Sequence, residues 1–207
     1  MEQTIKPIET IYNGYRFRSR LEARWAVFYG KLIPYEYEKE GFWIDGKPYL
    51  PDFYLPWFDV YVEIKPKNYE HIKETKEMLE KLAIQLDRPT ILCVGDPLDD
   101  EMWICCSESD DGGGGGPLWF RCWFVEGAEV ENSYGSWGMS RHWVSIAIGI
   151  HGIGGSDRER EYWTPSFSKM ISTGNFMQAE QITQFRSRLE EYRIKARQAR
   201  FEHGEKP

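Results

Sequence analysis

The segment YLPDFYLPWFDVYVEIKP, residues 49–66, carries Asp52, Glu63 and Lys65 inside runs that otherwise read as strand. Side chains alternate along a strand, so Glu63 and Lys65 share one face while Val60, Val62 and Ile64 take the other, toward the core. A turn near Trp57 folds the two runs together, and Asp52 stands about as far before it as Glu63 stands after it. Opposed positions in such a pair lie only ~5 Å apart, so two carboxylates and one ammonium converge. Like charges at that range repel unless something positive sits between them, and Lys65 or a divalent cation meets the need. Mg2+ takes oxygen ligands at ~2.1 Å and keeps several waters, so Asp52, Glu63 and the backbone carbonyl of Ile64 make a suitable partial cage. Such an ion polarises a phosphoryl oxygen and activates water, and Lys65 beside it orients that water or stabilises developing charge. Such a site is suited to phosphodiester hydrolysis; the alternative is an exposed strand face carrying a surface ion pair.

The elements around these residues have to hold them in place. Ser19 followed by Glu22 forms a capping-box pattern, and Leu21, Trp25, Phe28 and Leu32 recur at helical spacing. This predicts a helix over about residues 20–31, ended by Pro34. Residues 35–44 alternate apolar and charged types, as a strand with one solvated face does, and Asp45-Gly46-Lys47 signals a hairpin turn. Two further strands fall at about 49–55 and 59–65. Ile72, Thr75, Leu79, Leu82, Ala83 and Leu86 form one stripe within residues 69–88, predicting an amphipathic helix that Pro89 stops. TILCVG, residues 90–95, then reads as a buried strand after a crossover helix.

Pro51-Asp52, a ten-residue gap and Glu63-Ile64-Lys65 resemble the signature of the PD-(D/E)xK nuclease superfamily. The order of helix, three-stranded antiparallel meander, helix and strand resembles that superfamily's restriction-endonuclease-like core. FRSRLEARWA, residues 17–26, is similar to the first helix of TnsA-like transposon end-cleaving nucleases and of many phage-encoded nuclease-like proteins. There a Glu on that helix joins the site, and Glu22 matches its position. The resemblance covers about residues 14–95. It implies an α/β fold with that core and a metal-dependent DNA endonuclease activity using Mg2+, with Mn2+ able to substitute. Asp52 and Glu63 would ligate the ion, Lys65 would position the attacking water, and Glu22 would reach the metal directly or through water. Glu22 also reads as a capping residue alone, and one carboxylate can serve both ends. The alternative function is a catalytically silent nuclease-fold protein that binds DNA or a protein partner.

Three regions follow along the chain: a nuclease-like core over residues 1–98, a β-rich extension over 99–175, and a basic amphipathic helix with its tail over 176–207. EMWICC and LWFRCWFV read as strands flanking SESDDGGGGGP, residues 107–117, expected to be a mobile surface loop. No Lys-Ser/Thr follows these glycines, so they are not read as a phosphate loop. SRHWVSIAIGI, residues 140–150, is a further strand and residues 151–161 a loop. A long helix over about 177–202 keeps Ile182, Phe185, Leu189, Tyr192, Ala196 and Ala199 on one side and Arg186, Arg193, Arg197 and Arg200 on another. Its apolar stripe packs in the core or forms a dimer seam, and its basic line is a solvated face or a rail for backbone phosphates.

Composition bounds these readings. A chain of 207 residues with 15% aromatic side chains can bury a substantial core. The net charge of −7 opposes a nucleic-acid partner only if it is spread evenly. Residues 96–131 hold ten acidic residues and one Arg, which leaves the rest of the chain at +2. Basic faces elsewhere stay open to DNA, with Arg193 and Arg197 on the last helix and Arg16, Arg18, Arg20 and Arg24 around the first as candidates, the latter cluster reading equally as a plain solvated basic patch. A homodimer or a phage or transposition protein partner stays open. Cys93, Cys105, Cys106 and Cys122 fall in or beside apolar runs without a CxxC pair, which reads as reduced buried thiols and not a zinc site. No apolar run approaches the ~20 residues a membrane span needs, and the first ten residues lack a signal-peptide layout, so a cytoplasmic chain is expected.

Overall fold

The computed structural model describes residues 7–67, 69–99, 101–106, 117–126, 144–149 and 179–201. The glycine-rich stretch at 107–116, the loop at 151–161, and the side chains of Ile182, Phe185 and Arg186 lie outside the described residues.

The chain opens with a hairpin of β1 (Thr10–Tyr12) and β2 (Tyr15–Phe17), turned by Asn13 and Gly14 at positive φ, the geometry that matches strand twist. Helix α1 (Arg20–Leu32) follows, its N-cap Ser19 accepting from the Glu22 amide at 3.2 Å. It ends where Pro34 approaches, with the Ile33 amide closing onto the Tyr29 carbonyl at 2.7 Å. The alternating stretch expected as one strand is two, because the backbone turns at Glu38 with φ 46°. Strand β3 (Glu36–Tyr37) joins the main sheet, whereas β4 (Phe42–Ile44) pairs with β5 (Lys47–Tyr49) through a left-handed Asp45-Gly46 turn. The strand expected over 49–55 is likewise divided: Tyr49 ends β5, and β6 covers only Phe53–Leu55. Pro51 between them has no amide hydrogen to give a ladder.

Strands β6 and β7 (Val60–Lys65) pair antiparallel across the turn at residues 56–59. Helix α2 (Ile72–Leu86) ends at Asp87, which adopts φ 50° and caps the last carbonyls. It carries the chain over to β8 (Thr90–Val94), which lies parallel to β7 as the buried apolar run requires. Strands β9 (Glu101–Cys106), β10 (Leu118–Glu126) and β11 (Val144–Gly149) then extend the same sheet antiparallel, in the order β11-β10-β9-β8-β7-β6-β3. Among the described residues the chain is thus mixed α/β, with a seven-stranded sheet.

Alternation along β7 sorts the core. Val60, Val62 and Ile64 face Trp25, Phe28 and Tyr29 of α1, together with Leu189 and Ala196 of α3 (Ala179–Gln198). Tyr61 packs on the opposite face with Leu82 of α2, and Ile44 of β4 joins that cluster. The α3 stripe from Leu189 to Ala199 therefore packs onto the α1 face of this same chain. All four cysteines are buried as thiols. No helix among the described residues is long and apolar enough to cross a membrane.

One turn ties these layers together. The Gly95 amide donates to the Lys65 carbonyl at 2.8 Å, and the Gly95 carbonyl accepts from the buried Trp25 indole at 2.9 Å. Gly95 sits at φ +82°, and a Cβ there would run into the Asp99 carboxylate. Gly95→Ala is expected to cost about 1–3 kcal/mol, read as a lower urea midpoint at unchanged slope. An unchanged midpoint would refute this role for the turn.

Candidate active site

The register Phe53↔Val62 and Tyr54↔Tyr61, continued one step, sets Asp52 across from Glu63. At that point β6 has ended while β7 runs on to Lys65, so the strands fork. The Asp52 side chain fills the opening: its Oδ2 accepts from the Ile64 amide at 2.7 Å. The Asp52 carbonyl accepts from the Glu38 amide at 2.9 Å, which fixes the fork from the other side.

The carboxylates brought together here are buried. Asp52 is 2% exposed, Glu63 4% and Glu22 8%, so the surface ion-pair reading does not hold. Glu63 accepts from the Tyr49 hydroxyl at 2.9 Å through Oε2 and pairs with the Lys65 ammonium through Oε1. Glu22 sits at the start of α1, where Oε1 accepts from the Ser19 hydroxyl at 2.7 Å. Its Oε2 accepts from the Tyr37 hydroxyl at 2.6 Å and the Arg18 amide at 3.1 Å. The capping role is therefore real, and it also holds a carboxylate close enough to act on Asp52.

Electrostatics follow from this burial. Desolvation pushes the Asp52 carboxyl well above the usual range, and Glu63 and Glu22 push it further, against Lys65 and the Ile64 amide. Burial disfavours the Lys65 ammonium, yet Glu63 and Asp52 outweigh that and hold its pKa above the ordinary lysine value. Lys65 is thus a cation in this arrangement, suited to orienting water or stabilising negative charge. Burial and the Glu63 carboxylate together keep Tyr49 a neutral donor.

Arg18 enters the same cluster. Its Nη2 donates to Asp52 Oδ1 at 2.6 Å, and its Nε pairs with Glu38 at 2.8 Å. Burial works against the guanidinium, but Asp52, Tyr37 and Glu38 hold its pKa above the ordinary arginine value.

The other arginines expected to face DNA have varied settings. Arg16 is exposed and pairs with Glu9, its Nε donating at 3.0 Å. Arg20 is half-buried as the first residue of α1. Arg24 and Arg197 both approach Asp96, at 4.0 and 3.4 Å. Arg193 is only 3% exposed, with its guanidinium over the Phe28 ring, so it does not belong to an exposed basic line. Spacing accounts for this: Arg193 lies four residues after Leu189 and three before Ala196, on the apolar stripe itself.

Sequence reasoning missed Tyr37, Tyr49 and Glu38 as partners of the site, and assigned Arg18 only to phosphates. Alternation was the available signal for Tyr49, which shares the Phe42 side of its hairpin. Nothing local marks Tyr37, whose role depends on α1 docking beside β3.

Among the described residues, no three His, Cys, Asp or Glu side chains form a ready metal cage; two cations stand among the carboxylates instead. The donors are nonetheless hard oxygens with an excess of negative charge, which fits a hard divalent cation. No protein-family model matches the chain, and no curated protein or solved structure matches it either.

A raised carboxyl pKa is a stability statement. Because Asp52 titrates higher in the folded chain, its favourable contribution is complete below the unfolded value, about 3.9, and is lost as pH rises through the folded value. Asp52→Asn is expected to raise the metal-free melting temperature at pH 7.5 by a few degrees, the difference vanishing near pH 4. A variant that melts below wild type at pH 7.5 would contradict this.

Proposed function

We propose that this protein is a metal-dependent DNA endonuclease hydrolysing phosphodiester bonds. The observation that carries the reading is the fork between β6 and β7, where buried Asp52 and Glu63 stand across from each other with Lys65 beside them and Glu22 behind. Order and pairing support it further: α1, the antiparallel strands β3, β6 and β7, the crossover helix α2 and parallel β8 resemble a restriction-endonuclease-like core, with the β4–β5 hairpin inserted.

In this reading Asp52, Glu63 and the Ile64 carbonyl would hold Mg2+, or Mn2+ in its place. The ion supplies Lewis-acid stabilisation of charge developing on the phosphoryl group. Lys65, an ammonium tied to Glu63, orients the attacking water and offsets negative charge. Tyr49 holds the second Glu63 oxygen and so fixes which oxygen faces the site. Glu22, oriented by Ser19, Tyr37 and the Arg18 amide, would reach the ion directly or through water. Arg16 and Arg20, before and at the start of α1, are the cations this reading offers to phosphates of a bound duplex, while Arg18 is turned onto Asp52 and Glu38.

The test is cleavage of plasmid, nicked, flapped and four-way-junction DNA with Mg2+ or Mn2+. Wild type is expected to cut at least one form, and Asp52→Ala and Lys65→Ala to lower the rate by about 100-fold or more. A wild type that cuts none of these, or variants that cut equally well, would overturn the assignment. DNA binding without cleavage would leave a nuclease-like scaffold serving as a binding protein.

A further inference from the structure

We propose that Arg18 is the resident cation of this site and competes with the divalent metal for Asp52. The inference rests on the metal-dependent reading above and adds an exchange step to it.

Charge balance is the first argument. With Asp52 ionised, as metal binding requires, Glu22, Asp52, Glu63 and Glu38 bring four carboxylates to the cluster, while Arg18 and Lys65 bring two cations. Two negative charges are left over. One divalent cation cancels them if Arg18 stays paired with Glu38 and yields only its contact with Asp52. A metal added without that exchange would sit within reach of a guanidinium hydrogen-bonded to its own ligand, and like charges at such distances repel.

Geometry is the second. Arg18 has two arms on two different acids: Nη2 on Asp52 Oδ1 and Nε on Glu38. It can release one and keep the other. Its backbone is anchored independently, with the amide donating to Glu22 Oε2 at 3.1 Å and the Tyr37 hydroxyl at 3.0 Å. The side chain is 54% exposed while that of Asp52 is 3%, so the guanidinium reaches in from solvent and can leave without unfolding anything. Lys65 has less of this freedom, its side chain being only 19% exposed and paired with the buried Glu63. Asp52 Oδ2 is committed to the Ile64 amide, which makes Oδ1, the oxygen Arg18 holds, the one for which the metal competes.

The experiment is Mn2+ titration of the full 207-residue chain by calorimetry without DNA, for wild type, Arg18→Gln, Arg18→Lys and Asp52→Asn. Removing the competitor is expected to tighten Mn2+ binding about tenfold in Arg18→Gln, a Kd shift readable directly. The metal-free melting temperature of that variant should fall and its rise on adding Mn2+ should exceed that of wild type. Asp52→Asn should abolish the site. If Asp52→Asn abolishes binding but Arg18→Gln binds equally or more weakly, the exchange proposal is wrong while the metal reading stands. If wild type does not bind Mn2+, or Asp52→Asn binds as well as wild type, both fall. Arg18→Lys keeps the charge and loses the two-armed grip, so it decides the matter should the glutamine variant not fold: tighter binding supports exchange, and unchanged binding overturns it.

Discussion

Like charges out of water repel, and Glu22, Asp52 and Glu63 are held together at the fork between β6 and β7. Every nearby element answers that constraint. The Ile64 amide, the hydroxyls of Tyr37, Tyr49 and Ser19, and the cations of Arg18 and Lys65 each take one of the carboxylate oxygens. Buried carboxylates persist only when so surrounded, because each unsatisfied oxygen would carry its full desolvation cost. The fork is therefore the place where the sheet gives up a regular ladder in exchange for concentrated charge.

The surrounding fold has the stiffness such a site requires. Strand β7 is buried on both faces, with α1 and α3 behind Val60, Val62 and Ile64 and α2 over Tyr61. Its far end is fixed by the Gly95 turn, which also holds the Trp25 indole of α1. Glu22 on α1 and Lys65 on β7 are thus two ends of one braced unit. Asp96, next to that turn, meets Arg24 from α1 and Arg197 from α3, so the last helix is linked to the same corner.

Arginine placement shows where charge patterning misleads. Arg193 and Arg197 read alike along a helix, yet one lies over Phe28 in the core and the other reaches Asp96. Arg18 reads as part of a basic arm, but its guanidinium turns inward because two acids distant in sequence, Glu38 and Asp52, outcompete solvent for it. A count of basic residues records none of this. Only distances to acids distributed over three separate loops and strands do.

Periodicity and local capping were sufficient to place α1, α2, β7 and β8 from the sequence, since a helix stripe and a buried apolar run are properties of neighbouring residues. The pairing of Asp52 with Glu63 was also legible, because strand alternation and a short turn leave one register that buries Val60 and Val62. The division of residues 35–55 among β3, the β4–β5 hairpin and β6 was not, since it depends on Glu38 adopting a left-handed conformation between two separate sheets. Nor was the burial of the carboxylates, or the company of Tyr37, Tyr49 and Arg18. Those are long-range facts: they exist only once α1, the hairpin and the forked strands pack together and exclude water from the charges between them.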